Sequence, residues 1–156
     1  MIHFIQLIGI KEVNMDQPAG FWIRFWANFL DGVMVNIPLI IIIGVITGDF
    51  SPENPISSSL YFLYYLITPV IWNGYVVGKR VAGIRIVRID GKNVHIGNML
   101  MRSLVGGLIY TLTFGIAVIV SVFMVVFRED KRAIHDFIAG TYVTEGRLDN
   151  EFIPLN

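Results

Sequence analysis

Three long apolar segments alternate with short polar connections along the chain. Positions 54–78 and 103–127 each run for 25 residues without a charged side chain, and positions 21–46 are interrupted by only two charged residues. About 20 apolar residues suffice to cross the hydrocarbon core of a bilayer. The pattern therefore predicts an all-α membrane protein, a small transmembrane helix bundle with three membrane segments.

Composition supports this fold class and excludes several kinds of protein. Hydrophobic residues make up 54% of the chain, charged residues 15%, and the mean hydropathy is +0.65, which leaves too little polar surface for a soluble domain. Cysteine is absent, so disulfides, thiolate metal sites and cysteine nucleophiles are excluded. One bundle leaves no room for a separate catalytic module, so we expect neither an enzyme nor a cofactor, and nothing indicates a nucleic-acid partner.

Charge in the connections predicts the orientation of the segments. The connection at 49–55 carries two acidic residues and no basic one, which is typical of a non-cytoplasmic loop. The connection at 79–102 carries six basic residues against Asp90 alone, and short loops rich in Lys and Arg are retained in the cytoplasm. We therefore expect a multi-pass protein of the plasma membrane whose N-terminal segment, 1–17, is cytoplasmic.

The basic connection also predicts a small cytoplasmic β-hairpin. Residues 85–89 and 92–96 alternate apolar and polar side chains and flank Asp90 and Gly91, a residue pair favoured in tight hairpin turns. Its basic face would bind the phosphates of anionic lipid headgroups, and a plain solvated basic loop is the alternative. The candidate lipid or phosphate ligands are Lys79, Arg80, Arg85, Arg88 and Lys92.

Two rules disagree about the last apolar segment. Its length allows a single crossing, which would place the end of the chain outside the cell. Arg128, Lys131 and Arg132 follow directly and favour a cytoplasmic end. A re-entrant segment or a short helix pair, broken around 113–115, reconciles the two if its broken backbone is buried in protein. Residues 145–156 form a predicted polar tail.

Arg24 and Asp31 stand inside the first apolar segment, where charged residues are costly and usually face the bundle interior or a wet cavity. Seven residues apart, they lie on one face of a helix but about 10 Å apart along its axis, too far to pair with each other. We expect Asp31 to pair with Arg102, and Arg24 with Asp136. Such a network either fixes helix register or makes Asp31 a binding site for a proton or cation.

His135 and Asp136 invite comparison with a catalytic or metal-binding pair. Adjacent residues on a helix do not face each other, and no second histidine lies at ligand spacing. We therefore expect an interfacial turn whose aspartate meets a basic residue, and no metal site.

Four spaced motifs carry a resemblance to a known family. They are AGFWIRFWANFLD at 19–31, GKRVAGIRIV at 78–87 with the following Asp90-Gly91, Arg102, and HDFIAGT at 135–141. In this order the motifs resemble those of the RDD family of small multi-pass membrane proteins, and the resemblance covers about residues 18–144. The chain departs from the family pattern at Val81-Ala82, where leucines are common, and at Asn28, where tyrosine is frequent.

The resemblance implies roles for the charged residues. The arginine and two aspartates that give the family its name correspond to Arg24, Asp31 and Asp136. The family is a multi-span bundle for which transport of cations or protons is the usual suggestion. We therefore treat 18–144 as an RDD-like transmembrane domain.

Two functions from different classes stay open on this evidence. The first is a small cation or proton transporter, or a transporter subunit, in which Asp31 carries the ion. It would act as a homo-oligomer, since so few short spans enclose little volume. The second is an accessory protein that binds lipid or a partner membrane protein through its basic hairpin.

Overall fold

The structure, a computed structural model, describes residues 17–145 of the 156. The predicted N-terminal segment and the predicted polar tail, apart from Gln17 and Glu145, lie outside the described residues. The elements in chain order are α1 Phe21–Thr47, α2 Pro55–Ile71, α3 Val77–Val81, β1 Ile84–Arg88, α4 Ile96–Leu112, α5 Ile116–Phe127, α6 Ile134–Ala139 and β2 Thr141–Glu145. The chain is mostly helical, as predicted.

Helix α1 corresponds to the first apolar segment. It runs for 27 residues, or about 40 Å at 1.5 Å per residue. Within residues 17–145 it is the one unbroken helix that is long and apolar enough to cross a membrane by itself. Directly after Asp31 it contains a π-helical turn, Gly32–Asn36, an irregularity that frequently occurs at functional sites.

Helix α2 is shorter than its uncharged segment allows. Asn54 caps its start, and the Asn54 Oδ1 accepts hydrogen bonds from the N–H groups of Ile56 and Ser57 at 2.9 and 3.5 Å. Pro69 lies near the other end, and the helix stops two residues later. Asn73 and Gly74 follow with φ values of +53° and +93°, a left-handed conformation that ends helices. The helix has 17 residues, slightly fewer than the ~20 that a crossing usually needs.

The third apolar segment is a bent helix pair and not a straight helix. Helices α4 and α5 are bent by 119° relative to each other. The break lies at Phe114 and Gly115, which adopt φ values of +51° and +83°. This position is within 113–115, where we expected a re-entrant segment or a short helix pair to be broken. A second π-helical turn, Met101–Val105, lies inside α4 and contains Arg102.

The two-stranded sheet is present, but its second strand differs from the prediction. Strand β1 pairs antiparallel with β2, from Ile84 opposite Glu145 to Arg88 opposite Thr141, so the predicted hairpin with 92–96 is wrong. The Asp90-Gly91 turn does form, with the Gly91 N–H donating to the Arg88 carbonyl at 2.9 Å. After that turn the chain leaves β1 and starts α4, and β2 takes the vacant edge.

The buried core lies around the sheet. It combines residues from the start of α1, α2, both strands and the start of α4: Ala19, Ala27, Leu66, Ile84, Ile86, Val94, Met99 and Val143. Large apolar side chains elsewhere are exposed, among them Val45 and Ile46 in α1 and Phe127 in α5. An apolar surface of this extent suits contact with lipid better than contact with water.

Candidate functional site

A buried carboxylate joins two arginines beside the sheet. Asp136 of α6 is 0% exposed. Its Oδ2 accepts from Arg24 Nη1 at 2.8 Å and from the Ala133 N–H at 3.1 Å, and its Oδ1 accepts from Arg102 Nη1. The expected pairing of Arg24 with Asp136 is therefore present. We call Arg24, Arg102 and Asp136 the charge cluster.

Further hydrogen bonds tie the charge cluster to the surrounding backbone. Arg24 donates from Nε to the Ala19 carbonyl at 3.0 Å and from Nη2 to the Lys131 carbonyl at 2.6 Å. Arg102 Nη1 also donates to Thr141 Oγ1 at 3.1 Å. Burial by itself raises the pKa of the Asp136 carboxyl, but Arg102, His135 and Arg24 outweigh it and hold that pKa well below its usual range. The cluster thus connects α1, α4, α6 and β2.

Asp31 does not join this cluster, so the expected pair of Asp31 with Arg102 is wrong. Arg102 is already held by Asp136 and Thr141. Asp31 is only 1% exposed, and its Oδ1 accepts from the Tyr64 hydroxyl at 2.8 Å and the Gly78 N–H at 2.9 Å. Among the described residues, its Oδ2 is buried without a hydrogen-bond partner and no Lys or Arg nitrogen pairs with it.

Asp31 and Tyr64 together cap the short helix α3. The Tyr64 hydroxyl accepts from the Val77 N–H at 2.8 Å while it donates to Asp31. The approach of α3 to α1 requires glycine at position 78, because a Cβ there would lie 2.1 Å from the Ala27 carbonyl oxygen and 2.6 Å from the Asp31 nitrogen. The close crossing lets the carboxylate reach backbone donors that a helix leaves unpaired in its first turn.

The crossing also places Lys79 in the interior. Lys79 is 2% exposed, and its Nζ donates to Asn28 Oδ1 at 3.0 Å and to the Tyr65 hydroxyl at 3.1 Å. Within the described part of the chain, no carboxylate forms an ion pair with it. Lys79 therefore lies inside the protein and not on an exposed basic face.

The other four predicted phosphate ligands do not share one hairpin face. Arg80 lies 4.8 Å above the Trp72 ring and 5.6 Å from the Tyr75 ring. Arg88 pairs with Asp90 at 2.8 Å, Arg85 is half-buried and Lys92 is exposed.

Two cavities share lining side chains next to Lys79. The first, of about 270 Å³, lies between α1, α4 and α5 and is lined by three cations, Arg24, Lys79 and Arg102; we call it the basic cavity. The second, of about 550 Å³, reaches Pro52 in the connection before α2; we call it the outer cavity. Asn28 and Tyr65 line both, and Lys79 Nζ holds these two side chains together.

A chain of polar side chains extends along one wall of the basic cavity. The Tyr110 hydroxyl lies 2.9 Å from Ser121 Oγ and 2.5 Å from His135 Nδ1, and His135 Nε2 lies 3.7 Å from Asp136 Oδ1. Burial, with Arg102 as the next contribution, lowers the pKa of His135 from 6.5 to about 3, so the ring is neutral at pH 7. In its neutral form the ring accepts at one nitrogen and donates at the other.

The histidine makes stability depend on pH. Below pH 6.5 the unfolded chain protonates at this histidine and the folded protein does not, so stability should fall as pH falls from 6.5 toward 3, by at most about 1.4 kcal/mol per pH unit. The depressed pKa of Asp136 adds to the loss only below the ordinary aspartate range.

Thermal unfolding in detergent between pH 7.5 and 5 measures this dependence. The melting temperature of the His135→Gln variant should depend less on pH than that of the wild type. The matched variant at the exposed His95, His95→Gln, should show the same pH dependence as the wild type. An unchanged slope in His135→Gln would contradict the assignment.

Sequence reasoning missed Tyr64, Tyr65, Tyr110 and Ser121 as parts of the site. Their signal was weak, because a single tyrosine or serine in an apolar segment is common at a membrane interface. His135 was considered only as part of an unlikely pair with Asp136. No three His, Asp or Glu side chains in residues 17–145 lie close enough to hold a metal ion.

An apolar helical surface that suits lipid and a buried arginine–aspartate cluster define a small helical membrane protein. The chain belongs to the RDD family, whose sequence pattern matches residues 18–140. It is 46% identical to the uncharacterized protein YckC of Bacillus subtilis (strain 168), over 85% of this chain and 87% of that protein.

Two further relatives come from the same organism. The uncharacterized protein YxaI is 30% identical over 83% of this chain and 98% of its own length. The uncharacterized membrane protein YteJ is 26% identical over 83% of this chain and 82% of its own length. No solved structure matches.

Proposed function

We propose that this chain is a multi-pass protein of the plasma membrane, with both termini in the cytoplasm. Helices α1 and α2 would each cross, the latter about 25 Å long and accommodated by local thinning of the bilayer. The bent pair of α4 and α5 would enter and return. Contacts of α6 with both legs of the pair support this arrangement, since His135 meets Tyr110 and the Ile134 N–H donates to Ser121 Oγ.

Single cysteines test this topology in a chain that has none of its own. Glu53, Lys92 and Glu129 are exposed, and Glu53 is preferable to Asn54, whose side chain caps α2. In intact cells an impermeant thiol reagent should label Glu53→Cys only, and after lysis all three. Labelling of Glu129→Cys before lysis would mean that the bent pair crosses the membrane.

We further propose that the protein is a small transporter that carries a proton or small cation at Asp31. The observation that carries this proposal is the pair of cavities that meet at Asn28 and Tyr65, because a pathway closed by one layer of side chains needs little movement to open. Tyr61, which lines the outer cavity, stacks on Tyr64 with the ring centroids 5.8 Å apart, and the Tyr64 hydroxyl donates to Asp31. A buried carboxylate oxygen without a partner is costly, and a proton or cation relieves that cost.

Flux through reconstituted vesicles tests the transport proposal. Asp31→Asn keeps an acceptor for Tyr64 and Gly78 but removes the charge, so it should abolish proton or cation flux while the melting temperature stays near that of the wild type. Asp49→Asn, in the exposed loop, should retain the flux. Wild-type protein without flux of protons or any alkali cation, or full flux in Asp31→Asn, would refute the proposal.

The accessory role has weaker support. It required a basic hairpin, which does not form. Of the residues expected on its basic face, Arg80 stacks on Trp72, Arg88 pairs with Asp90 and Lys92 is exposed. A homo-oligomer or a partner membrane protein is compatible with transport, because one chain of this size encloses only small cavities.

A further inference from the structure

We infer that the basic cavity is a binding site for a phosphate-type oxyanion, held by Lys79 together with Arg24 and Arg102. This inference rests on the proposed transport pathway, because the cavity forms one half of it. It names an anionic substrate or lipid headgroup as the occupant of that half, in addition to the proton or cation assigned to Asp31.

Positive charge is in excess around the basic cavity. Arg24, Lys79 and Arg102 line the cavity. Asp136 is bound to both arginines, so two positive charges stay uncompensated within this group. Asp31 forms no ion pair with any of the described basic residues. If its negative charge is counted as well, one positive charge is still uncompensated.

Lys79 has no counter-charge among the described residues. Its ammonium is buried, donates to the neutral oxygens of Asn28 and Tyr65 and lies 5.1 Å from the centre of the Tyr65 ring. An ammonium taken out of water without a counter-charge is strongly unfavourable, and an anion in the adjoining cavity would supply that charge. A bound anion would also compete for the Lys79 ammonium with Asn28 and Tyr65, the two side chains that line both cavities.

The size and lining of the cavity suit an oxyanion. Its volume of about 270 Å³ lies just below the ~300–1,000 Å³ typical of sites for drug-sized ligands, which suits a small anion or a headgroup. Arg102 uses Nη1 for its hydrogen bonds to Asp136 and Thr141, which leaves Nε and Nη2 available as donors. Val118, Val122 and Val125 of α5 make part of the lining apolar, which suits the start of an acyl chain.

Equilibrium binding to the purified full-length protein tests the inference and distinguishes the two sources of the anion. In one arm, inorganic phosphate is added to lipid-free protein in detergent. In the other, the protein is placed in nanodiscs of phosphatidylcholine with or without phosphatidic acid. Ligand that binds the folded state raises the melting temperature in a concentration-dependent way, and either arm supports the inference if the rise depends on Lys79.

Two variants with matched controls locate the site. Asn28→Asp places a carboxylate against the Lys79 ammonium with almost no change in shape, and should weaken oxyanion binding at least tenfold. Lys79→Met should do the same. The exposed substitutions Asn93→Asp and Lys92→Met change the charge equally and should leave the affinity within twofold of the wild type.

The outcomes separate this inference from transport. If neither phosphate nor phosphatidic acid stabilises the wild type, or if Asn28→Asp binds as tightly as wild type, the inference is wrong even when Asp31-dependent flux is present. Binding that depends on Asn28 and Lys79 without any flux would support the anion site and overturn the transporter proposal instead.

Discussion

Asp136→Asn is expected to lower the free energy of unfolding by about 3–5 kcal/mol, the usual cost of breaking a buried ion pair from one side. The carboxylate is fully buried and serves both Arg24 and Arg102. Its loss leaves two guanidinium groups in the interior without a counter-charge. Because the cluster joins α1, α4 and α6, the loss should weaken the packing of all three helices.

Unfolding in detergent, followed by circular dichroism, measures this effect. The matched control is Asp130→Asn, since Asp130 pairs with the exposed Arg128 at 2.9 Å, and surface pairs contribute little. A double-mutant cycle with Arg102→Gln should show strong coupling with Asp136→Asn. Equal melting temperatures for the Asp136 and Asp130 variants would show that the charge cluster does not hold these helices together.

Gly78→Ala is expected to destabilise the protein by about 1–3 kcal/mol, the range for overpacking a well-packed contact. The added Cβ would lie 2.1 Å from the Ala27 carbonyl oxygen, so α3 must move away from α1. That movement breaks the hydrogen bond from the Gly78 N–H to Asp31 and shifts Lys79 away from Asn28 and Tyr65. The variant should therefore lose stability and oxyanion binding together.

Gly107→Ala provides the control for this substitution. Gly107 lies inside α4 with no atom within 4 Å of an added Cβ, and alanine is the better helix former by about 1 kcal/mol. The control should be as stable as the wild type or more so. A Gly78→Ala protein that matches it would mean that the contact between α1 and α3 is looser than the structure indicates.

The two π-helical turns have a common position relative to the site. One follows Asp31 directly in α1, and the other contains Arg102 in α4. Such turns occur frequently at functional sites. Both therefore lie at the charged positions on which the proposed pathway depends.

Several features could be predicted from local sequence because their physical cause is local. Long uncharged segments avoid the cost of charge in lipid, so the first segment and the family membership followed from the pattern and the motifs. The break at 113–115 was predicted as one of two alternatives, from a glycine beside threonine and phenylalanine and from the basic residues that follow. Arg24 could be matched with Asp136 because the basic residues after the last segment favour a return of the chain to the side where the first segment starts.

Only the tertiary structure decided which groups the charged side chains bind and which segment pairs with strand β1. Arg102 could reach either Asp31 or Asp136, and the choice depends on how α6 packs against α4. Strand β1 had a favourable turn next to it, yet its edge is filled by residues more than fifty positions away, because 92–96 continues into α4. Lys79 resembled a surface lysine until the contact of Gly78 with α1 placed it inside, and close packing of distant segments leaves no local signal.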